Sequence, residues 1–188
     1  MPISNIVQNG GFETGSLSPW NGRQRNGTAT GAATNRVFDV DHDSAHSGNW
    51  GLSVSAQGSR AFLEQDLHTT AGTTYELTFW VAATQEQGLS ANANAAHPLI
   101  FEVHWNGSLL FQTFTPPTTY TEFDFTGLVA TSNSTDLRFG FRDDFGVFHF
   151  DDVKVGIPGV PEPFSTFWFA LPVIGMIGFA RFSRKRRD

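Results

Sequence analysis

Six side chains suited to binding a sugar occur at alternating positions of three apolar segments, YELTFWVAA, LIFEVHW and LRFGFR. Successive side chains of a β-strand point to opposite faces, so the polar members of each segment should project away from a core. If the three strands pair with one another, all six side chains lie on one sheet face. They are Glu76, Trp80, Glu102, His104, Arg138 and Arg142. An exposed indole can stack on a sugar ring while charged groups bond its hydroxyls. The alternative is that a loop covers this face and Trp80 is ordinary packing.

The same residues include two carboxylates that could form a catalytic pair. Glu76 and Glu102 could face one another as the carboxylate pair of a glycosidase, which needs about 5 to 9.5 Å between the two groups. However, any acidic sheet offers such pairs. The sequence holds no HExxH, no GxSxG and no glycine-rich phosphate loop, and its six histidines lack a regular metal-ligand spacing. We therefore predict that the protein is not an enzyme, with a glycoside hydrolase as the less favoured alternative.

A run of alternating aspartates, Asp39, Asp41 and Asp43, has the spacing that begins an EF-hand calcium loop. That loop also needs a glycine at its sixth position and a glutamate at its twelfth. Ser44 and Trp50 occupy those positions here, so the EF-hand is rejected.

Three short motifs occur in a fixed order along the chain: NGGFETGSLSPW near the start, AHSGNWGLSV in the middle and FDDV near residue 150. Together they resemble the carbohydrate-binding module families 4 and 9, within the galactose-binding-like jelly rolls. The resemblance covers most of residues 5–156. It implies an all-β jelly-roll β-sandwich of about eight to ten strands and a polysaccharide ligand.

The same resemblance implies a structural calcium ion that ties the N-terminal turn to the last strand. The matching carboxylates are Glu13 and Asp151, with carbonyl oxygens expected from Gly11 and the turn near Ser47. The physics is reasonable, because Ca²⁺ takes six to eight oxygen ligands from carboxylates and turn carbonyls. The alternative is that Glu13 and Asp151 only accept hydrogen bonds from turn amides.

Composition agrees with a single sandwich domain over residues 1–157. The chain has 188 residues, 19 Phe, five Trp and no Cys, so a disulfide framework is excluded and stability must come from an aromatic core or a bound ion. The segment from residue 160 onward contains five of the 12 basic and two of the 18 acidic residues, which leaves the body with 7 against 16. This acidity argues against a nucleic-acid partner, which would require a concentrated positive surface.

The last residues, 158–188, have a different character from the body. Pro161, Glu162 and Pro163 precede an apolar run over 164–182, and the chain then ends with the basic cluster RKRR before Asp188. A run of this length is at the short end of what spans a bilayer as a helix, and the basic cluster favours a cytoplasmic end. The sequence predicts a single C-terminal transmembrane helix. The alternatives are a simple permanent anchor and an amphipathic or buried helix of a soluble domain.

This tail resembles the PEP-CTERM sorting signal of Gram-negative bacteria. The resemblance implies export, inner-membrane retention and recognition of the Pro-Glu-Pro motif by an exosortase. It also implies a place at the cell surface or in the extracellular matrix, in association with exopolysaccharide and biofilm. The opening MPISNIVQNGGFE has no basic and apolar leader, so we expect the true start to lie upstream or the leader to have been removed. A structural matrix protein without a sugar ligand is the second hypothesis.

Overall fold

Antiparallel strands account for the regular structure of the described part of the chain. The computed structural model describes residues 5–24, 37–85 and 99–159. Its strands are β1 (Asn21–Gln24), β2 (Phe38–Asp41), β3 (Gly51–Val54), β4 (Ala61–His68), β5 (Thr74–Gln85), β6 (Ile100–Trp105), β7 (Ser108–Thr113), β8 (Thr121–Val129), β9 (Ser134–Arg142) and β10 (Gly146–Gly156). Within these residues no helix is present that could cross a membrane. The predicted sorting motif, apolar helix and basic end fall outside the described residues.

The strands form two five-stranded sheets, which confirms the predicted β-sandwich. The first sheet has the order β1-β4-β9-β6-β7 and the second has the order β2-β3-β10-β5-β8. Every one of these pairings is antiparallel. Neighbours within a sheet are mostly distant in sequence, as in a jelly roll, so chain order does not indicate which strands share a sheet.

The core consists of phenylalanines from the facing sides of the two sheets. Phe79 of β5 packs against Phe139 of β9 with ring centroids 5.1 Å apart, and Phe139 lies 4.7 Å from Phe150 of β10. All three side chains are fully buried. Burial of each such ring stabilises the fold by roughly 1.5–3 kcal/mol. The inward positions that alternation predicts in β5, β6 and β9 are confirmed, because all of them are buried. They are Tyr75, Leu77, Phe79, Val81, Phe101, Val103, Trp105, Leu137, Phe139 and Phe141.

The β6–β7 hairpin has the turn that Asn106-Gly107 predicts. Both residues have positive φ, 52° and 75°, as a type I′ turn requires. Two other local predictions are wrong. The polar, glycine- and threonine-rich segment over residues 21–33 predicts a surface loop, but its first four residues pair with β4 as an edge strand. The strand expected near Asn5 is not formed; that segment is instead attached to β10 by a hydrogen bond from the Ile6 amide to the Val155 carbonyl.

Candidate functional site

The six predicted sugar-binding residues are divided between the two sheets. Glu76 and Trp80 lie on β5 in the second sheet, whereas Glu102 and His104 of β6 and the two arginines of β9 lie in the first. The prediction of one common face is therefore wrong. Alternation correctly separated outward from inward side chains, but it holds no information on the sheet that each strand joins. Because Glu76 and Glu102 project from opposite outer surfaces, they cannot flank one glycosidase cleft.

The outer surface of the first sheet carries a network centred on Glu102. We call it the β6/β9 face and define it by Arg60, Phe62, Glu102, His104, Gln112 and Arg138. Glu102 Oε1 accepts a hydrogen bond of 2.6 Å from Gln112 Nε2 and lies 2.9 Å from Arg60 Nε, at ion-pair distance without hydrogen-bond alignment. Its Oε2 lies 3.4 Å from His104 Nε2. Glu102 is only 6% exposed although it points outward, so its neighbours enclose it.

Arg138 occupies the middle of the β6/β9 face. Its guanidinium carbon lies 5.3 Å above the centre of the Phe62 ring, and its Nη2 lies 3.4 Å from His104 Nδ1. Arg138 Nε is buried and has no hydrogen-bond partner among the described residues. An unsatisfied buried donor is costly in a protein that binds nothing there. Arg138 as a whole is partly exposed, so its side chain can contact a ligand at this face.

A glycine gives this face its depth. Gly140 of β9 is paired with Phe62 on one side and Glu102 on the other. A Cβ atom at Gly140 would lie 2.9 Å from Glu102 Oε2 and 3.0 Å from Phe62 Cε1. Any side chain here would displace the two groups or fill the space between them. Glycine thus leaves an aromatic ring and a carboxylate next to one another across three strands.

Arg142, at the end of the same face, is engaged in an internal ion pair. Its Nε and Nη2 donate to the two carboxylate oxygens of Asp144 at 3.2 and 3.0 Å. Such a bidentate pair is specific in geometry. The pair holds the Arg142 side chain at the beginning of the β9–β10 connection. A role of Arg142 in ligand binding stays a prediction.

Trp80 is covered by the loop between β2 and β3. The His46 ring stacks on the indole with centroids 3.9 Å apart and an angle of 14°, and Tyr120 contacts His46 edge-on at 5.0 Å. The Tyr120 hydroxyl donates to the Ser44 carbonyl at 2.6 Å, and burial raises the pKa of this phenol, so it remains a donor. These are the contacts expected from the alternative in which Trp80 is packing. Glu76 is half-buried and is paired with Gly156 of β10.

The four residues predicted to surround a calcium ion do come together at one corner. Glu13 Oε1 accepts hydrogen bonds from the amides of Asn49 and Trp50 at 2.9 and 3.0 Å, which lower the pKa of Glu13. A Cβ atom at Gly11 would lie 3.8 Å from Asp151 Oδ1 and 3.8 Å from Glu13 Cγ. The turn at Ser47 closes the corner, since its amide donates to Asp151 Oδ2 at 3.1 Å.

Asp151 is the buried acid of this corner. It is fully buried and accepts amide hydrogen bonds from His46, Ser47 and Asp152 at 2.8, 3.1 and 2.7 Å. Burial nevertheless raises the pKa of Asp151 to about 6, because desolvation disfavours the charged form more than these amides favour it. A cation beside this carboxylate would offset that desolvation.

A calcium ion at this corner would require the two carboxylates together with backbone carbonyl oxygens. The described residues contain no cluster of three or more His, Cys, Asp or Glu side chains that could hold a metal. The amide hydrogen bonds of the alternative interpretation are also present. Sequence reasoning missed Asp152, whose Oδ1 accepts from the Ser47 hydroxyl at 2.9 Å and whose Oδ2 lies 2.8 Å from His46 Nδ1.

Sequence reasoning also missed Arg60, Phe62 and Gln112 of the β6/β9 face. Phe62 had a usable signal, since it alternates with the buried Ala61 and Leu63 of β4. Arg60 precedes the strand and Gln112 follows a bulge in β7, where alternation gives no guidance.

Comparison with known proteins agrees with this architecture. Among solved structures, TmCBM61 in complex with β-1,4-galactotriose is 15% identical, with a TM-score of 0.58, and the match covers 80% of this chain and 97% of that one. The family 16 carbohydrate binding module-2 is 19% identical with a TM-score of 0.53, over 80% and 99% of the two chains. The CBM22-1 xylan-binding domain from Paenibacillus barcinonensis Xyn10C is 13% identical with a TM-score of 0.51, over 85% and 97%. At these identities the likeness shows the fold alone.

A sequence-family comparison is more specific. No curated protein matches the chain. The family model of a carbohydrate binding domain, CBM_4_9, matches residues 4–142, which is well over half of the sequence and includes the strands of the β6/β9 face. This protein therefore belongs to the CBM_4_9 carbohydrate binding domain family.

Proposed function

We propose that the protein binds a polysaccharide, without cleaving it, on the β6/β9 face. The observation that carries the proposal is that Phe62, His104 and Arg138, all partly exposed, surround the enclosed carboxylate of Glu102 on this face. The part of the Phe62 ring that Arg138 leaves uncovered can contact a sugar ring, and the partly exposed His104, Gln112 and Arg138 can bond its hydroxyls, while Glu102 holds these groups in place. A polysaccharide ligand also agrees with the galactotriose and xylan that are named for two of the structural neighbours.

The test is binding of the folded protein to galactan, xylan and a wider glycan array, followed by titration of the best ligand. We expect Arg138→Met to weaken binding about tenfold, or about 1.4 kcal/mol, because a charge-assisted hydrogen bond is lost. Lys154→Met is the matched control, since it removes one exposed cation from the second sheet. Equal affinity of the two variants would refute the assignment to this face. Silence of the wild type on every glycan would favour a structural matrix role without a sugar ligand.

The cellular setting is proposed from the tail sequence. We propose that the protein is exported, held in the inner membrane through 164–182, and processed by an exosortase at Pro161-Glu162-Pro163 before it reaches the cell surface or matrix. The support is the order of tripeptide, apolar run and basic end in the sequence. Cell fractionation of the full-length chain is the check, and recovery of the uncleaved protein from the cytosol would contradict it.

We further propose that a structural calcium ion is held by Glu13 and Asp151, with carbonyls from Gly11 and the turn at Ser47. Support comes from the convergence of these groups and from the buried, desolvated Asp151. When bound, the ion would supply positive charge to that carboxylate and tie the N-terminal turn to β10. The role is stability and not catalysis.

A further inference from the structure

The end of the sandwich where β9 passes into β10 contains a polar depression away from the β6/β9 face. Its volume is about 370 Å³, within the range of about 300–1,000 Å³ typical of small-ligand pockets. Its floor is on the outer side of the second sheet, where Val147 of β10 is paired with Thr84 of β5 and Ser55 follows β3. The depression and the β6/β9 face therefore lie on opposite sheets.

The lining favours a neutral, hydroxyl-rich ligand. Ser55 and Thr84 provide hydroxyls, Gln57 an amide and Phe145 a half-buried ring. No basic side chain lines the depression within the described residues, and the carboxylate of Asp144 is held by Arg142, so neither a phosphate nor a strongly charged ligand is favoured. Hydroxyls and an amide beside an aromatic ring are the groups that recognise a sugar.

The wall of the depression is held in place by buried acids. Asp143 is 4% exposed, and its Oδ1 accepts a hydrogen bond of 3.0 Å from the Phe145 amide. Asp144 Oδ1 accepts from the Gly58 amide at 2.7 Å, which links the wall to the segment after β3. Because both contacts are made by the protein itself, the position of Phe145 does not depend on a bound ligand. A wall organised in advance lowers the entropy cost of binding.

The Thr84 hydroxyl is only weakly satisfied within the protein. Its Oγ1 lies 3.3 Å from the Val147 carbonyl and 3.4 Å from His149 Nε2, both near the upper limit for a hydrogen bond. Thr84 is also exposed, so its hydroxyl can turn toward a ligand without loss of a strong internal bond. Further along β10, Ser44 Oγ and His149 Nδ1 are 2.8 Å apart, so the loop between β2 and β3 covers the sheet there.

We infer that this depression is a second carbohydrate-binding site, for a single neutral sugar unit such as a chain end or a branch. The inference rests on the carbohydrate-binding function proposed above but not on the β6/β9 face. Two sites on opposite sheets would let one domain contact two chains of a matrix. Simultaneous contacts of this kind raise the effective affinity without any change in either site.

The test is an NMR titration of the ¹⁵N-labelled protein with methyl β-galactoside, methyl β-xyloside and methyl β-glucoside. We expect saturable shifts of the Gly58, Phe145 and Gly146 amides with at least one probe. Thr84→Val and Phe145→Leu should each weaken that response about tenfold, or about 1.4 kcal/mol. Thr74→Val is the matched control, because Thr74 is an exposed threonine at the opposite end of the same strand.

Two results would overturn the inference. One is the absence of saturable shifts at these amides with all three probes. The other is a response that Thr84→Val and Phe145→Leu leave unchanged. Arg138→Met separates the two sites: the response of the depression should persist in this variant, while binding at the β6/β9 face falls. If the polysaccharide binding proposed above is absent, the amides of Glu102 and Gln112 remain unshifted whatever the depression does.

Discussion

The ion pair between Glu102 and Arg60 gives a quantitative test of how the β6/β9 face is built. Glu102→Gln keeps the size of the side chain and an oxygen for Gln112, but it removes the negative charge 2.9 Å from Arg60 Nε. An exposed ion pair contributes about 0.2–1 kcal/mol, and breaking a fully buried pair costs about 3–5 kcal/mol. The Arg60 side chain is 31% exposed, so water replaces part of the lost interaction. We expect Glu102→Gln to lower the free energy of unfolding by about 2 kcal/mol.

The measurement is a double-mutant cycle by urea denaturation of the wild type, Glu102→Gln, Arg60→Met and the double variant. Methionine keeps most of the apolar stem of Arg60, so this variant should lose about 1 kcal/mol, chiefly through the ion pair. If the pair acts as the geometry indicates, the two losses overlap and the double variant is about 1 kcal/mol more stable than their sum. Losses that add to within about 0.3–0.5 kcal/mol would show that the two groups do not interact and would refute the reasoning.

Two further predictions concern the acidic groups of the fold. At a calcium concentration of about 100 times the dissociation constant, the wild type should gain about 2.7 kcal/mol of stability that EDTA removes. We expect this gain to be absent in Glu13→Gln. It should be retained in Glu122→Gln, the control, because Glu122 is an exposed glutamate of β8. Thermal melts measure the gain, and an equal gain in both variants would contradict the site. Burial raises the pKa of Asp143 above its ordinary value of 3.8, so its stabilising contribution is complete below that value and is lost as pH rises through the folded-state pKa. The wild type should therefore lose stability relative to Asp143→Asn as the pH is raised above about 3.8 in urea denaturation, whereas a constant difference would contradict the shift.

Much of the fold could be predicted from the local pattern of residues along the chain. Strict alternation identified Phe79, Phe101 and Phe139 as inward, because a strand has a period of two and one face must be dry. Asn106-Gly107 predicted its turn for an equally local reason, since two successive positive φ values are needed there. The order of three motifs along the chain was sufficient to indicate the family. The same resemblance predicted that Glu13 and Asp151 lie at one corner.

The functional surface depended on contacts that no local pattern contains. β4 pairs with β9 across some seventy residues of sequence, and this pairing brings Phe62 next to the strand of Arg138. Alternation places Trp80 outward, but it cannot indicate that a loop will lay His46 over the indole. The depression at the β9–β10 connection likewise combines residues from three separate segments.

The sequence by itself determined which side of each strand is dry, which turns are tight and which family the domain belongs to. These follow from steric and hydrophobic preferences of neighbouring residues. Only the tertiary structure decided which outward side chains share a surface, because strand order in a jelly roll is set by the packing of the whole sandwich. For that reason Glu102, His104 and Arg138 remained together, while Trp80 was assigned to the opposite sheet.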